Sequence, residues 1–129
     1  MRILISEDDY ASRSAIANFL RQYASCDATI DGEEAVEAYK MALESGEYYD
    51  LVCLDAEMPF RDGYNVASCI RQLEKEYGVL EDKRASIIMT TAETNDNHKR
   101  CREDGLLYCA KPINYESLKE VIRDAGFDI

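Results

Sequence analysis

The sequence predicts an α/β domain in which a five-stranded parallel sheet is covered by helices on both faces. Short apolar runs alternate five times with segments whose apolar residues recur at helical spacing. The third run, residues 51–54, is apolar throughout, which is typical of a strand buried on both faces. Strands that alternate with helices form parallel sheets, because each crossover returns the chain to the same edge. The 129 residues are expected to be one domain, residues 1–129, without an output domain.

The elements are assigned in chain order from apolar spacing and from the residues that begin or end each helix. The predicted strands cover residues 3–5, 26–30, 51–54, 87–89 and 106–109. Helical spacing is carried by Ile16, Phe19 and Leu20, then by Val66, Ile70 and Leu73, and finally by Leu118, Val121 and Ile122. Asp31, with Glu34 three residues later, is expected to cap the second helix, which stops at Gly46. Residues 95–104 are expected to form the fourth helix, and Asn114 to cap the last.

Composition excludes several classes of protein. Hydrophobic residues at 47% and charged residues at 32% indicate a folded globular chain. With 15 basic and 26 acidic residues the net charge is -11, which disfavours direct binding to nucleic acid, because phosphates need a basic face. No apolar stretch approaches the roughly 20 residues of a membrane span, and the N-terminus has no signal-peptide pattern. A cytoplasmic protein that does not contact membranes is predicted.

The cysteines favour a reducing compartment. There are five, Cys26, Cys53, Cys69, Cys101 and Cys109. None forms a CxxC pair, and Cys53 lies within an apolar run. We therefore expect buried free thiols rather than disulfides or a zinc site.

Polar residues follow the predicted strands at the points where they end. These are Glu7, Asp8 and Asp9 after the first strand, Asp55 after the third, Thr90 and Thr91 after the fourth, and Lys111 after the fifth. The carboxyl ends of parallel strands lie along one edge, where open α/β sheets bind their ligands. Taken singly, the acids could cap the first helix, Thr91 could cap the fourth, and Lys111 could be a solvated loop residue. Their joint occurrence at one edge favours a functional site.

Such a cluster supports phosphoryl chemistry. Carboxylates held close together repel one another unless a cation joins them, and an oxygen-rich acidic site suits Mg²⁺. A metal-bound aspartate can attack a phosphoryl donor and carry an acyl phosphate, with Asp55 as the nucleophile. Lys111 could share the charge of the transferred group, and a threonine hydroxyl could bond to its oxygens.

These residues resemble those of a response-regulator receiver domain, over essentially the whole chain. The motifs are Glu7-Asp8-Asp9, the stretch 48–55, Met58-Pro59, Asp62-Gly63, Thr91-Ala92, Tyr108 and Lys111-Pro112-Ile113. The resemblance implies a flavodoxin-like (βα)5 doubly wound fold and a role in two-component signalling rather than conventional enzyme activity. It also implies self-catalysed phosphorylation and dephosphorylation.

The resemblance assigns a role to each site residue. It makes Asp55 the phosphoacceptor, and gives Mg²⁺ the ligands Glu7, Asp8, Asp55 and the backbone carbonyl of Glu57, with Asp9 one position beyond the pair. Thr91 and Lys111 would contact the phosphoryl group, Tyr108 would be the switch aromatic, and the bond before Pro112 would be cis. The implied partners are a histidine kinase or a histidine phosphotransfer protein, and a downstream protein at the face of the fourth helix, fifth strand and fifth helix.

Two features depart from the pattern. Glu57 places a carboxylate where neutral residues are frequent in the family, and we expect it to alter metal dependence and phosphoryl lifetime unless it is only an exposed loop side chain. Residues 95–102 have almost no apolar residue besides Cys101, so the fourth helix should be weakly held and mobile. We assign no role to His98, which lies in this polar stretch.

Several other functions were considered from the sequence. An aspartate-nucleophile phosphatase would place its nucleophile after the first strand, whereas Asp55 follows the third. A flavin-binding protein would need a loop after the first strand that does not repel phosphate, whereas this loop is acidic. A degenerate receiver could act as a phosphorylation-independent interaction module. The segments 64–71 and 84–87 are similar to receivers of hybrid sensor kinases, so the chain could also be a receiver excised from such a kinase.

Overall fold

A computed structural model describes all residues, 1–129, and contains the predicted alternation of strands and helices. The strands are β1 (Arg2–Ser6), β2 (Ser25–Thr29), β3 (Leu51–Asp55), β4 (Ser86–Ala92) and β5 (Leu107–Lys111). The helices are α1 (Tyr10–Leu20), α2 (Gly32–Ser45), α3 (Gly63–Glu76), α4 (Asn95–Glu103) and α5 (Tyr115–Asp124). A short 3₁₀ helix, Glu81–Lys83, precedes β4 and was not predicted.

All five strands are parallel, in the order β2-β1-β3-β4-β5, which confirms the predicted doubly wound fold. Every residue of the central strand β3 is buried. Side chains of α2, α3 and α4 pack on one face of the sheet in a cluster of 19 buried residues, and α1 and α5 cover the other face in a cluster of 11. From β1 the chain proceeds to β2 on one side and later to β3 on the other. The ends of β1 and β3 therefore flank the crevice where such sheets bind ligands.

The helix ends follow the predicted signals where a side chain can reach the backbone locally. The Asp31 carboxylate accepts from the Glu34 N–H at 2.8 Å, and Gly46 ends α2 in the left-handed region with φ 75°. Asn114 caps α5 as expected. The cap of α4 is Thr94, not Thr91, so the Thr91 hydroxyl is not used in helix capping.

Helix α4 differs from the other helices in how little of it is buried. Of its nine residues only Cys101 is buried, as the polar sequence indicates. Strand β5 begins one residue later than predicted and extends to Lys111, because its ladder with β4 continues to the Ala92 and Lys111 pair. That pairing places Lys111 at the end of a strand rather than in a loop.

The five cysteines are free thiols, as predicted, but only Cys53, Cys101 and Cys109 are buried, whereas Cys26 and Cys69 are half-buried. Burial raises the pKa of the Cys53 thiol to about 12. None of the helices combines the length and the apolar character that a membrane-spanning segment requires.

Candidate functional site

The predicted site residues converge because four strands end at the same edge. Asp55, the last residue of β3, pairs with Thr90 of β4, one residue before Thr91. Lys111 pairs with Ala92 on the next strand. Glu7 follows directly after β1, the other neighbour of β3.

Three carboxylates form a compact cluster. One oxygen each from Glu7, Asp8 and Asp55 lies within 4.8 Å of the others. Glu7 and Asp55 are 2% and 3% exposed, whereas Asp8 is exposed to solvent. The cluster is therefore a buried acidic pair with one accessible carboxylate at its mouth.

Lys111 is the only cation that forms ion pairs with these carboxylates. Its Nζ lies 2.9 Å from Asp55 Oδ1 and 3.4 Å from both carboxylate oxygens of Glu7. Burial opposes the charge on Lys111, but its contacts with Asp55 and Glu7 outweigh burial and raise its pKa. Burial, together with the Asp55 carboxylate, raises the pKa of Glu7 to about 8, and Lys111 offsets only part of this effect. The cluster is thus short of positive charge.

The residues of this cluster fit a hard divalent cation. All the available donors are oxygens, the ligands that Mg²⁺ prefers, and the accessible Asp8 leaves room for a partly hydrated ion. Burial and the Asp55 carboxylate raise the pKa of Glu7, and the positive charge of a bound cation would offset both effects.

Backbone contacts fix the orientation of Asp55. The N–H of Glu57 donates to Asp55 Oδ1 at 3.1 Å, and the N–H of Gly63 donates to the Ala56 carbonyl at 3.0 Å. A Cβ atom at Gly63 would overlap the Asp55 carbonyl oxygen and would lie 2.7 Å from the sulfur of Met89. Only glycine lets the start of α3 pack this closely behind Asp55.

The Arg13 side chain and the cap of α1 hold the acidic loop in place. Arg13 Nη1 donates to the backbone carbonyls of Glu7 at 2.9 Å and Asp8 at 3.3 Å. The Asp9 carboxylate accepts from the Ser12 N–H at 2.8 Å and so caps α1. Hydrogen bonding to Ser12 lowers the pKa of Asp9. Asp9 is therefore used by the helix, and Glu7 and Asp8 are the acids that approach Asp55.

Thr91 of β4 and Tyr108 of β5 both contact the first turn of α4. Thr91 is 4% exposed, and its Oγ1 accepts a hydrogen bond from Asn97 Nδ2 at 3.3 Å. The Tyr108 hydroxyl donates to the Ala92 carbonyl at 3.0 Å, and its ring centroid lies 4.0 Å from that of His98. Strands β4 and β5 are thus connected to α4 through these two side chains.

Comparison with known proteins identifies the family. The model of the response regulator receiver domain matches residues 3–123. The chain belongs to this family. Its function is that of a phosphoacceptor domain in two-component signalling, as in the related receivers of hybrid histidine kinases.

Relatives of this receiver include much longer kinases. It is 30% identical over 129 residues to hybrid signal transduction histidine kinase L of Dictyostelium discoideum, covering 97% of this chain and 7% of that protein. It is 28% identical over 128 residues to the osmosensing histidine protein kinase SLN1 of Saccharomyces cerevisiae, covering 96% of this chain and 10% of that protein. The receiver therefore spans about a tenth or less of the length of these relatives.

Solved receiver structures share the fold. The receiver domain of Ssk1 from Saccharomyces cerevisiae, crystallised with the histidine phosphotransfer protein Ypd1, has a TM-score of 0.81 at 25% identity, covering 95% of this chain and 86% of that one. The receiver domain of the histidine kinase CKI1 from Arabidopsis thaliana, complexed with Mg²⁺ and BeF₃⁻, has a TM-score of 0.79 at 26% identity, covering 95% and 87%. The chemotaxis protein CheY4 of Vibrio cholerae, with a TM-score of 0.75 at 21% identity over 95% and 96%, supports the fold alone.

The structure of this receiver brings together the residues that the sequence predicted. One cluster contains Glu7, Asp8, Asp55 and Lys111. Thr91 lies beside it, at the same carboxyl-terminal end of the sheet. The Lys111–Pro112 peptide bond is cis, as the resemblance implies. The side chain of Glu57 is exposed at the rim of an open cleft of about 570 Å³ that Asp8, Thr91 and Asn97 also line. The roles of these residues stay predictions.

Sequence reasoning missed three residues at this site. Arg13 could have been suspected from its place in the first turn of the helix that follows the acids. Gly63 was noted only as part of a motif, without its packing against Asp55. Asn97 gave no signal, because it lies among polar residues of an exposed helix.

Proposed function

We propose that this receiver takes a phosphoryl group onto Asp55 from a phosphohistidine of a kinase or phosphotransfer protein, in a Mg²⁺-dependent reaction. The observation that supports this most directly is the contact between Lys111 Nζ and Asp55 Oδ1 in an acidic cluster where one cation faces three carboxylates. Asp55 Oδ1 accepts from both Lys111 and the Glu57 N–H. The other oxygen, Oδ2, is then the nucleophile.

The transfer step exchanges one bond to phosphorus for another. Asp55 Oδ2 attacks the phosphorus atom, the bond from phosphorus to the donor histidine nitrogen breaks, and an acyl phosphate forms on the aspartate. The Lys111 ammonium group exchanges its contact with the Asp55 carboxylate for a contact with a phosphoryl oxygen. The Thr91 hydroxyl donates a hydrogen bond to another phosphoryl oxygen. Hydrolysis of the acyl phosphate by water later restores Asp55.

Glu7, Asp8, Asp55 and the backbone carbonyl of Glu57 would hold the Mg²⁺ ion. When bound there, it would offset the negative charge that gathers on the phosphoryl group as it is transferred. This proposal is supported by the oxygen-only donor set and by the raised pKa of Glu7. The CKI1 receiver complexed with Mg²⁺ and BeF₃⁻ gives further support from a relative.

We propose that the phosphorylated receiver signals through the face formed by α4, β5 and α5. This proposal is supported by two contacts with α4: the hydrogen bond from Asn97 to Thr91, and the ring contact between His98 and Tyr108. The output is a partner protein or a further phosphotransfer step, and not a contact with nucleic acid or a membrane. The net charge of -11 supports this, because phosphates need a basic face. A cytoplasmic location stays a prediction.

The direct test is intact-mass measurement after incubation with Mg²⁺ and a small acyl-phosphate donor. We expect one added phosphoryl group, which is absent in Asp55→Asn and absent when the metal is chelated. No addition to the folded wild-type protein in Mg²⁺ would contradict the proposal. That result would favour an interaction module that works without phosphorylation.

A further inference from the structure

Asn97 connects the first turn of α4 to the end of β4 by two hydrogen bonds. Its Nδ2 donates to the Ala92 carbonyl at 2.8 Å and to Thr91 Oγ1 at 3.3 Å. Asn97 is half-buried, whereas every other residue from Ala92 to Arg100 is exposed. These two hydrogen bonds are named the Asn97 bridge.

The Asn97 bridge shares an acceptor with Tyr108. The Ala92 carbonyl accepts from both Asn97 Nδ2 and the Tyr108 hydroxyl, and the Tyr108 ring contacts His98, the next residue of the same helical turn. One carbonyl group therefore joins β4, β5 and α4. A displacement of Thr91 or of Tyr108 changes the same set of bonds.

Apart from the Thr94 cap and the contact of His98 with Tyr108, few side chains hold this turn of α4. Cys101, the one buried residue of the helix, lies a full turn further along, where Arg100 also stacks over the Tyr64 ring at 3.6 Å. The ion pairs of α4 are long, at 3.9 and 4.0 Å, and exposed. Exposed pairs of this kind contribute little to stability, so the Asn97 bridge is a main contact of the first turn.

We propose that Asn97 is a positioning residue that holds Thr91 and Tyr108 in the unphosphorylated arrangement. The inference rests on the proposed function. For its hydroxyl to reach a phosphoryl group on Asp55, Thr91 moves away from α4, and its bond to Asn97 lengthens beyond 3.3 Å and breaks. The Asn97 bridge thus favours the resting state, and it reduces the fraction of molecules that is ready to be phosphorylated.

The test compares Asn97→Ala with Asn95→Ala. Both replace an asparagine of the first turn of α4 by alanine, so both raise the helix propensity by a similar amount. Asn95 is exposed, and its side chain forms none of the hydrogen bonds of the structure. Only Asn97→Ala removes the bridge.

We expect Asn97→Ala to be phosphorylated by the small acyl-phosphate donor about fivefold faster than wild type, and Asn95→Ala to match wild type. Fivefold corresponds to about 1 kcal/mol, the usual net contribution of a hydrogen bond. In the unphosphorylated protein, amide hydrogen exchange in residues 95–98 should be faster in Asn97→Ala despite its higher helix propensity. Exchange in β3 should be unchanged, which verifies that the fold is intact.

Each outcome is decisive. If wild type is phosphorylated and Asn97→Ala reacts at the same rate with unchanged exchange, the inference is wrong and the proposed function stands. If wild type accepts no phosphoryl group, the proposed function fails, and the inference fails with it. Faster reaction in both alanine variants would assign the effect to helix propensity and would also overturn the role of Asn97.

Discussion

Helices α2 and α3, here called the α2–α3 side, cover the same face of the sheet as α4, but they are much more deeply buried than α4. On the α2–α3 side, Glu74 is fully buried and accepts hydrogen bonds from the Tyr39 hydroxyl at 2.6 Å, Arg71 at 2.8 Å and the Ala85 N–H at 2.9 Å. Helix α4 buries one residue and depends on side-chain bonds at its ends. Stability is therefore unevenly distributed, and the less stable part lies next to Thr91 and the strand ends that carry the acidic cluster.

The largest effect is expected from breaking the α2–α3 side at Glu74. Glu74→Ala leaves the Tyr39 hydroxyl and the Ala85 N–H buried without partners, and it should lower the free energy of unfolding by about 3 kcal/mol. Urea denaturation measures this. The matched control is Glu76→Ala, two residues along the same helix but exposed, for which we expect a change within about 0.5 kcal/mol. Equal effects of the two substitutions would show that the α2–α3 side is not the rigid part.

A smaller effect is expected from pH in the presence of a metal chelator. Without a cation, the pKa of Glu7 is about 8 in the folded protein, against an ordinary value of 4.5. Between these two values the folded chain holds a proton that the unfolded chain has lost. The free energy of unfolding therefore falls as pH rises through that window.

Thermal unfolding in chelator at pH 6 and at pH 9 tests this expectation. The wild type should lose roughly 10 °C more in Tm than Glu7→Gln between the two pH values, because the glutamine does not titrate. Added Mg²⁺ should reduce the difference. If both proteins show the same change of Tm with pH, Glu7 does not hold a proton in the folded protein at pH 6. The inference that the acidic cluster is short of positive charge would then be wrong.

The smallest effect concerns the far end of α4. Arg100→Met removes the cation from above the Tyr64 ring, and should cost about 0.5 to 1 kcal/mol of local stability. Amide exchange in residues 99–103 should become a few times faster, whereas urea denaturation of the whole domain should change little. Lys99→Met, which removes only an exposed ion pair, is the control. Loss of global stability in Arg100→Met would contradict the conclusion that α4 contributes less to the stability of the domain than the α2–α3 side.

The sequence was informative wherever function follows from position along a strand. Asp55, Thr91 and Lys111 were found because parallel strands end at one edge, so a local pattern determines where their side chains gather. It left Asp9 ambiguous, since a helix cap and a metal ligand are the same residue type. In the structure Asp9 is the helix cap, because its carboxylate accepts from the Ser12 N–H. Glu7 lies in the acidic loop that Arg13 holds against Asp55.

Residues whose role depends on distant partners could not be predicted in the same way. Asn97 donates to the end of β4, and no spacing rule connects the two. Glu74 did leave a signal that was not used, because it follows Val66 and Ile70 at intervals of four residues on the buried side of α3. A charged residue at such a position indicates a buried partner, although the sequence does not say which one.

The exposure of α4 has a consequence for how receivers diversify. Seven of its nine residues are exposed, and only Cys101 is packed into the core. Substitutions at exposed helical positions usually change folding stability little. The helix can therefore acquire a surface for a new partner while the sheet, the acidic cluster and Lys111 stay as they are. Duplicated copies of such a domain can diverge in the pathway they serve without first losing the ability to fold.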